Sequence, residues 1–73
     1  MAPLTMIEEG AKVKIKKIAS GINLKKRLEG MGIGIDKVVE ILKSAPGPII
    51  LKVENSKIAL GFGEASKIYV EKI

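Results

Sequence analysis

The sequence predicts a small, mainly β domain: a partly closed barrel of five to six short strands with one short helix. The chain has 73 residues, which suits a single domain spanning residues 1–73. It contains 12 Ile, 6 Leu and 5 Val but only one Phe and one Tyr, so we expect an aliphatic core. Short apolar segments alternate with turns that contain Gly, Pro or Asn, and this arrangement is typical of a small β-barrel.

The first part of the chain predicts a strand that follows a turn. LTMI (4–7) is a short apolar piece, and the EEG that follows it is typical of a turn. KVKIK (12–16) alternates Val and Ile with Lys, as a half-buried strand does. Ile18 falls out of that alternation, so we expect a β-bulge near Lys16–Lys17.

One short helix is predicted after this strand. Asn23 is the candidate N-cap, because its side chain can accept a hydrogen bond from a free amide of the first turn. Apolar residues then recur at intervals of four and three and share one helical face: Leu24, Leu28 and Met31. Gly30 and Gly32 lie where a glycine can adopt the left-handed conformation that ends a helix.

The remaining residues predict short strands at 36–43, 49–53, 58–60 and 68–70. SAPGP and ENSK separate the first three as turns, and ENSK is typical of a hairpin. The alternation groups these residues on shared faces: Val39, Ile41, Ile49, Leu51, Val53, Ile58 and Leu60. GFGEASKI, before the last strand, suits a single helical turn that Glu64 helps to cap.

The glycine-rich segment GMGIGID (30–36) raises the question of phosphate binding. A dinucleotide-binding loop needs G-x-G-x-x-G after a strand and before a helix, whereas these glycines are spaced G-x-G-x-G and follow the helix. The chain also lacks the Gly-Lys-Ser/Thr ending of a P-loop. We therefore interpret the segment as a helix stop and a tight turn into the next strand.

Two segments, RLEGMGIGIDKVVEI and GPIILKVENSKIALGFGEASKIYV, follow the pattern of a known family. The matching positions are Arg27, Leu28, Met31, Gly32, Val39, Ile41, Gly47, Pro48, Ile58, Ala59, Leu60, Glu64, Ala65, Ile68 and Val70. In this order and spacing they resemble the FeoA family of SH3-like β-barrels, which is also similar to the C-terminal domain of iron-dependent repressors. The resemblance covers residues 4–73. The family's usual Pro-Gly turn is Ile35–Asp36 here, and Asp tolerates the left-handed conformation.

The resemblance implies a non-enzymatic accessory or regulatory module for ferrous iron uptake. Its partner would be the FeoB-type membrane iron transporter, contacted on the cytoplasmic side through protein–protein contacts and without a small-molecule substrate. A cytoplasmic location also agrees with MAPLTMIEEG, which lacks the basic and apolar regions of a signal peptide.

Neither catalysis nor a resident cofactor is expected. The chain has no His and no Cys, so it cannot build a Ser-His or Cys-His pair and has no imidazole or thiolate ligand for Fe²⁺. Glu8 and Glu9 are adjacent, and we expect their side chains to diverge. Only carboxylates remain as metal ligands, and no spacing gathers three of them: Glu8, Glu9, Glu29, Asp36, Glu40, Glu54, Glu64 and Glu71. A weak surface association with Fe²⁺, through unassigned ligands, stays open.

A basic run is the candidate partner-binding surface. Lys25, Lys26 and Arg27 are expected in the first helical turn, where the helix dipole disfavours positive charge. A cost tolerated at three adjacent positions indicates docking on an acidic surface, and ordinary solvated lysines are the alternative. The candidate partner-binding residues are Leu24, Lys25, Lys26, Arg27, Ile33 and Ile35. Ile33 and Ile35 are either exposed apolar anchors or core residues, with the core favoured.

The net charge of +5 supports an alternative function, a small basic barrel that binds nucleic acid. Two aromatic residues offer little surface for base stacking, so nucleic acid is the weaker prediction. The same charge also suits a domain whose lysines only keep it in solution. A metal-sensing domain detached from a repressor is a third interpretation, although the chain has no helix-turn-helix segment to read DNA.

Overall fold

A computed structural model describes all 73 residues of the chain. Its elements, in chain order, are β1 (Ala2–Pro3), a 3₁₀ turn (Leu4–Met6), β2 (Lys12–Ile18), α1 (Ile22–Gly30), β3 (Val38–Lys43), β4 (Ile49–Val53), β5 (Ser56–Leu60), α2 (Phe62–Ala65) and β6 (Ile68–Lys72). The strands form one antiparallel sheet in the order β1-β6-β2-β3-β4-β5. No ladder joins β5 to β1, so the sheet is a partly closed barrel, as the sequence predicts.

The core follows the period-two alternation of the strands. In β2, Val13 and Ile15 are buried while the lysines between them are exposed, and β4 buries Ile49, Leu51 and Val53 in the same way. Sixteen residues are buried in all, and every one of them is apolar. The interior therefore contains no polar side chain that would need a buried partner.

The predicted bulge lies in β2. The register between β2 and β6 shifts between Ile15 and Lys17, and this extra residue returns Ile18 to the buried face. The strand consequently runs two residues beyond the predicted segment 12–16. The apolar piece 4–7 forms a 3₁₀ turn whose Leu4 and Ile7 reach the core.

The remaining predicted turns are also present, with different bounds. Ser56 and Lys57, predicted in the hairpin turn, belong to β5, and β3 begins at Val38 and not at residue 36. Residues 54 and 55 join β4 to β5 in a two-residue hairpin, with Glu54 at a φ of 57°. Gly47, in the SAPGP turn, has a φ of 90°, which a glycine adopts at little cost. No helix has the length and apolar character that a bilayer crossing requires.

Candidate partner-binding surface

Helix α1 starts earlier than the sequence predicts. Gly21 occupies the N-cap position in an extended conformation, with no side-chain cap, and its carbonyl accepts the Lys25 amide at 3.3 Å. Asn23 lies inside the helix, so its prediction as the N-cap is wrong. The preceding strand ends close to this start: the Ala19 amide donates to the Lys67 carbonyl at 2.7 Å and extends the pairing of β2 with β6 beyond Ile18.

This start changes the electrostatics of the basic run. Since α1 begins at Ile22, Lys25 and Lys26 occupy the middle of the helix and Arg27 lies in its last turn. The prediction that all three crowd the first turn is therefore wrong. The dipole does not oppose Arg27, because the C-terminal end of a helix favours positive charge.

An ion pair ties α1 to α2. The Arg27 guanidinium binds Oε2 of Glu64, and Oε1 of the same carboxylate accepts the Gly61 amide at 3.3 Å. Glu64 thus caps α2, as predicted, and also holds the last turn of α1. Lys25 and Lys26 are exposed and form no ion pair, so their ammonium groups are free to meet a partner.

A shallow groove lies where the two helices meet. It has a volume of about 350 Å³ and is lined by Ser20, Asn23, Leu24, Arg27, Glu64 and Lys67. Leu24 is its one apolar residue and is half-buried, in contact with the core cluster. A groove with this lining is mainly polar and suits a protein surface better than an apolar small molecule.

The two isoleucines of the glycine-rich segment differ in burial: one lies in the core and the other at the surface. Gly32 adopts a φ of 83° and ends α1, and the Ile33 amide then donates to the Leu28 carbonyl at 2.8 Å. Ile33 is fully buried, so it belongs to the core and is wrong as an exposed anchor. Ile35 is 53% exposed, so the preference for the core is wrong at that position and Ile35 stays available at the surface.

The segment serves as the predicted helix stop and turn. Asp36 has a φ of 69°, the left-handed conformation predicted for the residue that replaces the family's glycine. Its amide donates to the Ile15 carbonyl at 2.7 Å, and its carboxylate lies 3.6 Å from the Lys16 ammonium. Ile35 consequently lies next to the point where the segment is hydrogen-bonded to β2.

The adjacent carboxylates diverge, as predicted. The Lys72 ammonium donates to Glu8, whereas Glu9 accepts the Ser44 amide at 3.5 Å. The bond from Lys72, with help from a backbone amide, holds the pKa of Glu8 below its ordinary value of 4.5. No three carboxylates of the chain lie close enough together to share a metal ion.

Two exposed apolar residues on the helices are absent from the predicted set. Ile22 at the start of α1 is 65% exposed, and Phe62 at the start of α2 is 59% exposed. Ile22 carried a usable signal, since it stands two residues before Leu24 and off the apolar face of the helix. Phe62 carried none, because its exposure depends on how α2 packs.

Comparison with known proteins agrees with this architecture. A family model described as FeoA domain matches residues 2–72. A Methanocaldococcus jannaschii protein, named as a candidate Fe(2+) transport protein A, is 41% identical over 71 residues, which cover 97% of this chain and 87% of that protein. The crystal structure of an iron uptake regulatory protein, FeoA, has a TM-score of 0.91 and 33% identity, covering 99% of this chain and 97% of that one.

The fold also recurs inside longer chains. The crystal structure of ScaR with bound Zn²⁺ has a TM-score of 0.89 and 25% identity, and covers 100% of this chain but 37% of ScaR. A manganese-dependent transcriptional repressor shares the fold at lower identity. These likenesses confirm both predicted resemblances, to FeoA proteins and to the SH3-like domains of metal-dependent repressors. The chain belongs to the FeoA domain family.

Proposed function

We propose that this chain is a non-enzymatic accessory module of ferrous iron uptake, which docks on the cytoplasmic side of the membrane onto a FeoB-type transporter. The observation that carries the proposal is the match to the FeoA domain over residues 2–72, together with the Fe(2+) transport name of the Methanocaldococcus jannaschii relative. Iron is the cargo of the transport system in this proposal, and the chain itself holds no resident cofactor.

The docking surface in this proposal is the exposed side of α1. Lys25 and Lys26 are exposed, form no ion pair and offer two free positive charges on this helix. Arg27 takes part through the exposed portion of its side chain, 59% of it, while its guanidinium also binds Glu64. An acidic surface on the transporter would complement this charge.

Charge alone does not make such a complex stable. Exposed ion pairs contribute about 0.2–1 kcal/mol each, so two or three of them fall short of even a millimolar affinity, about 4 kcal/mol. Apolar contact has to supply the rest. Ile22, 65% exposed at the start of the same helix, is the apolar side chain available to supply it, and Ile35 is a further exposed apolar group. Leu24 lies on a different face of the helix and contributes only its accessible part, within the groove.

The test is recovery of the transporter on the tagged chain from detergent-solubilised membranes of the source organism. Captured proteins are identified by mass spectrometry, with Fe²⁺ or a chelator present, at low and moderate salt. The double variant Lys25→Glu/Lys26→Glu is expected to lower recovery at least several-fold. Lys17→Glu/Lys37→Glu, at two other exposed and unpaired lysines, makes the same change in net charge and is expected to retain recovery.

The other outcomes are equally informative. Equal loss in both double variants would show that recovery depends on total charge and would remove α1 as the docking surface. Capture of nucleic acid alone, lost at moderate salt, would replace the proposal with nucleic-acid binding, because counterion release makes such binding steeply salt-dependent. Absence of the transporter under every condition would overturn the proposal.

A further inference from the structure

Strand β5 is an open edge of the sheet. It pairs only with β4, from Val53↔Ser56 to Ile49↔Leu60, and has no partner on its other side. The opposite edge, β1, has two residues, one of them Pro3, whereas β5 has five residues without proline, glycine or a register shift. Proline and short length protect an edge from pairing, so β1 is protected and β5 is open to a further strand.

The register identifies which backbone groups face the open side. Val53 and Ser56 flank a two-residue hairpin turn and exchange both ladder hydrogen bonds, and such pairs alternate along an antiparallel ladder. Ser56, Ile58 and Leu60 therefore bond to β4. Lys57 and Ala59 direct their amides and carbonyls outward, and no hydrogen bond outside the ladders involves either residue.

The sheet face beside this edge carries a net positive charge. Glu54, in the hairpin, lines the same shallow depression as Lys12, Glu40 and Lys52. Lys57 stands directly opposite Lys52 in a non-hydrogen-bonded pair, the closer of the two pair types. Their row continues through Glu40 to Lys12, so three lysines share one carboxylate across four strands. All three lysines are exposed and none forms an ion pair. Like charges directly opposite one another destabilise a sheet.

We propose that β5 is a docking edge for an extended acidic segment of another protein, which adds to the sheet as a seventh strand. The backbone of Lys57 and Ala59 supplies two amide donors and two carbonyl acceptors, and alternate carboxylates of the added strand lie against the exposed pair Lys52 and Lys57. The small side chain of Ala59 leaves room for a side chain beside it. The inference rests on β5 and not on α1, so it goes beyond the proposed function.

Charge selects this occupant over a second copy of the chain. Two copies of β5 could pair about Ile58, but each copy brings a net charge of +5 and its own pair of lysines, which repel. An acidic strand gains the same backbone hydrogen bonds and relieves the repulsion between Lys52 and Lys57.

The test uses the full chain and a seven-residue peptide that alternates glutamate and threonine, acetylated and amidated at its ends. Hydrogen exchange is followed by NMR at each backbone amide while the peptide is titrated. The amides of Lys57 and Ala59 are expected to gain protection, whereas those of Ser56, Ile58 and Leu60 are already bonded to β4 and change little. A matched peptide with lysine in place of glutamate is expected not to bind.

Variants separate the backbone from the charge. Ala59→Pro removes one outward amide without removing a bond to β4, and is expected to abolish binding. If Ala59→Pro fails to fold, the wild-type chain with a peptide N-methylated at alternate amides makes the same test. Lys57→Glu is expected to weaken binding about tenfold, because it replaces an attraction with a repulsion. Lys17→Glu, with the same change in net charge on β2, is expected to bind within about twofold of the wild type.

Several results would overturn the proposal. These are equal binding of the lysine peptide, protection gained away from residues 56–60, or no binding at millimolar peptide. Protection of Lys57 and Ala59 that rises with protein concentration in the absence of peptide would instead make a second copy the occupant of the edge.

Discussion

The sheet and the segment 22–36 build this molecule in different ways. Eleven of the sixteen buried residues lie in the strands, whereas α1 and the glycine-rich turn contribute two, Leu28 and Ile33. In β2, β3 and β4, one face of the strand has to be buried in the core, and this requirement determines which side chains point to solvent. The segment 22–36 is held by two buried side chains, by Leu24 and Met31, which pack partly against the core, and by the Arg27–Glu64 ion pair. Its charged side chains do not contribute to the core.

This difference teaches where function can change without loss of the fold. A substitution on α1 that avoids Leu24 and Leu28 leaves the core packing intact, so Lys25 and Lys26 can be exchanged to suit a partner. In the sheet, only outward-facing residues have that freedom, and Lys52 and Lys57 are among them. The lysines of the two candidate surfaces therefore are residues that the core does not need.

The largest expected effect tests whether the segment 22–36 depends on its few anchors. Ile33→Ala removes a fully buried side chain and is expected to lower the free energy of unfolding by about 2–5 kcal/mol. Ile35→Ala, two residues along the same turn, removes an exposed side chain and is expected to change it by less than about 0.5 kcal/mol. Urea unfolding followed by circular dichroism measures both. Similar losses in the two variants would mean that Ile33 is not the residue of this turn that anchors it in the core.

A smaller effect is expected from the glycines of the same turn. Gly32→Ala forces a left-handed conformation on a residue with a Cβ, at a cost of about 1–2 kcal/mol, and the Cβ would lie 3.2 Å from Cγ1 of Val53. The backbone of Gly34 is not left-handed, so Gly34→Ala carries no such cost, and its Cβ would lie 3.9 Å from the nearest atom, on Glu29. It is expected to be neutral or to stabilise by up to about 1 kcal/mol, through the unfolded state.

Thermal and urea unfolding of the two glycine variants decide the point. If Gly34→Ala were destabilised and Gly32→Ala were not, Gly34 and not Gly32 would be the glycine that the helix stop requires. Equal losses would show that the whole turn, and not one residue in it, requires the freedom of glycine.

The same contrast explains what the sequence could predict. Strand positions follow from alternation, which is local: Val13 and Ile15 are buried as predicted, and the departure at Ile18 located the bulge. The alternation is strong because a shift of one residue would turn the whole apolar face outward. The resemblance to the FeoA family, confirmed over residues 2–72, rests on turn and packing positions of this kind.

The candidate site was harder to predict because its geometry depends on residues far apart in the chain. Ser20, Gly21 and Asn23 are all residue types that cap helices, and the local sequence does not show that α1 begins after Gly21. The pairing of Arg27 with Glu64, 37 positions later, has no local signal. Ile33 and Ile35 have the same side chain, and only the backbone turn at Gly32 determines which of them enters the core.

The smallest expected effect comes from an ion pair on the sheet side of the comparison. Lys72 holds the pKa of Glu8 below 4.5 in the folded chain, so the unfolded chain binds more protons as the pH falls. The stabilisation from Glu8 is therefore complete above the unfolded pKa and is lost as the pH falls through the lower folded pKa. Both side chains are more than half exposed, so the effect is small and is screened by salt.

Glu8→Gln isolates this contribution, because glutamine keeps the size of the side chain and removes its charge. The free energy of unfolding, measured from pH 6 downward, is expected to fall less steeply below 4.5 in the variant than in the wild type at low salt, and the two slopes are expected to converge at high salt. Glu9→Gln is the matched control, since Glu9 meets only the Ser44 amide at 3.5 Å. If Glu9→Gln changed the slope as much as Glu8→Gln, acid sensitivity would reflect the total charge of the turn and not the bond that joins it to β6.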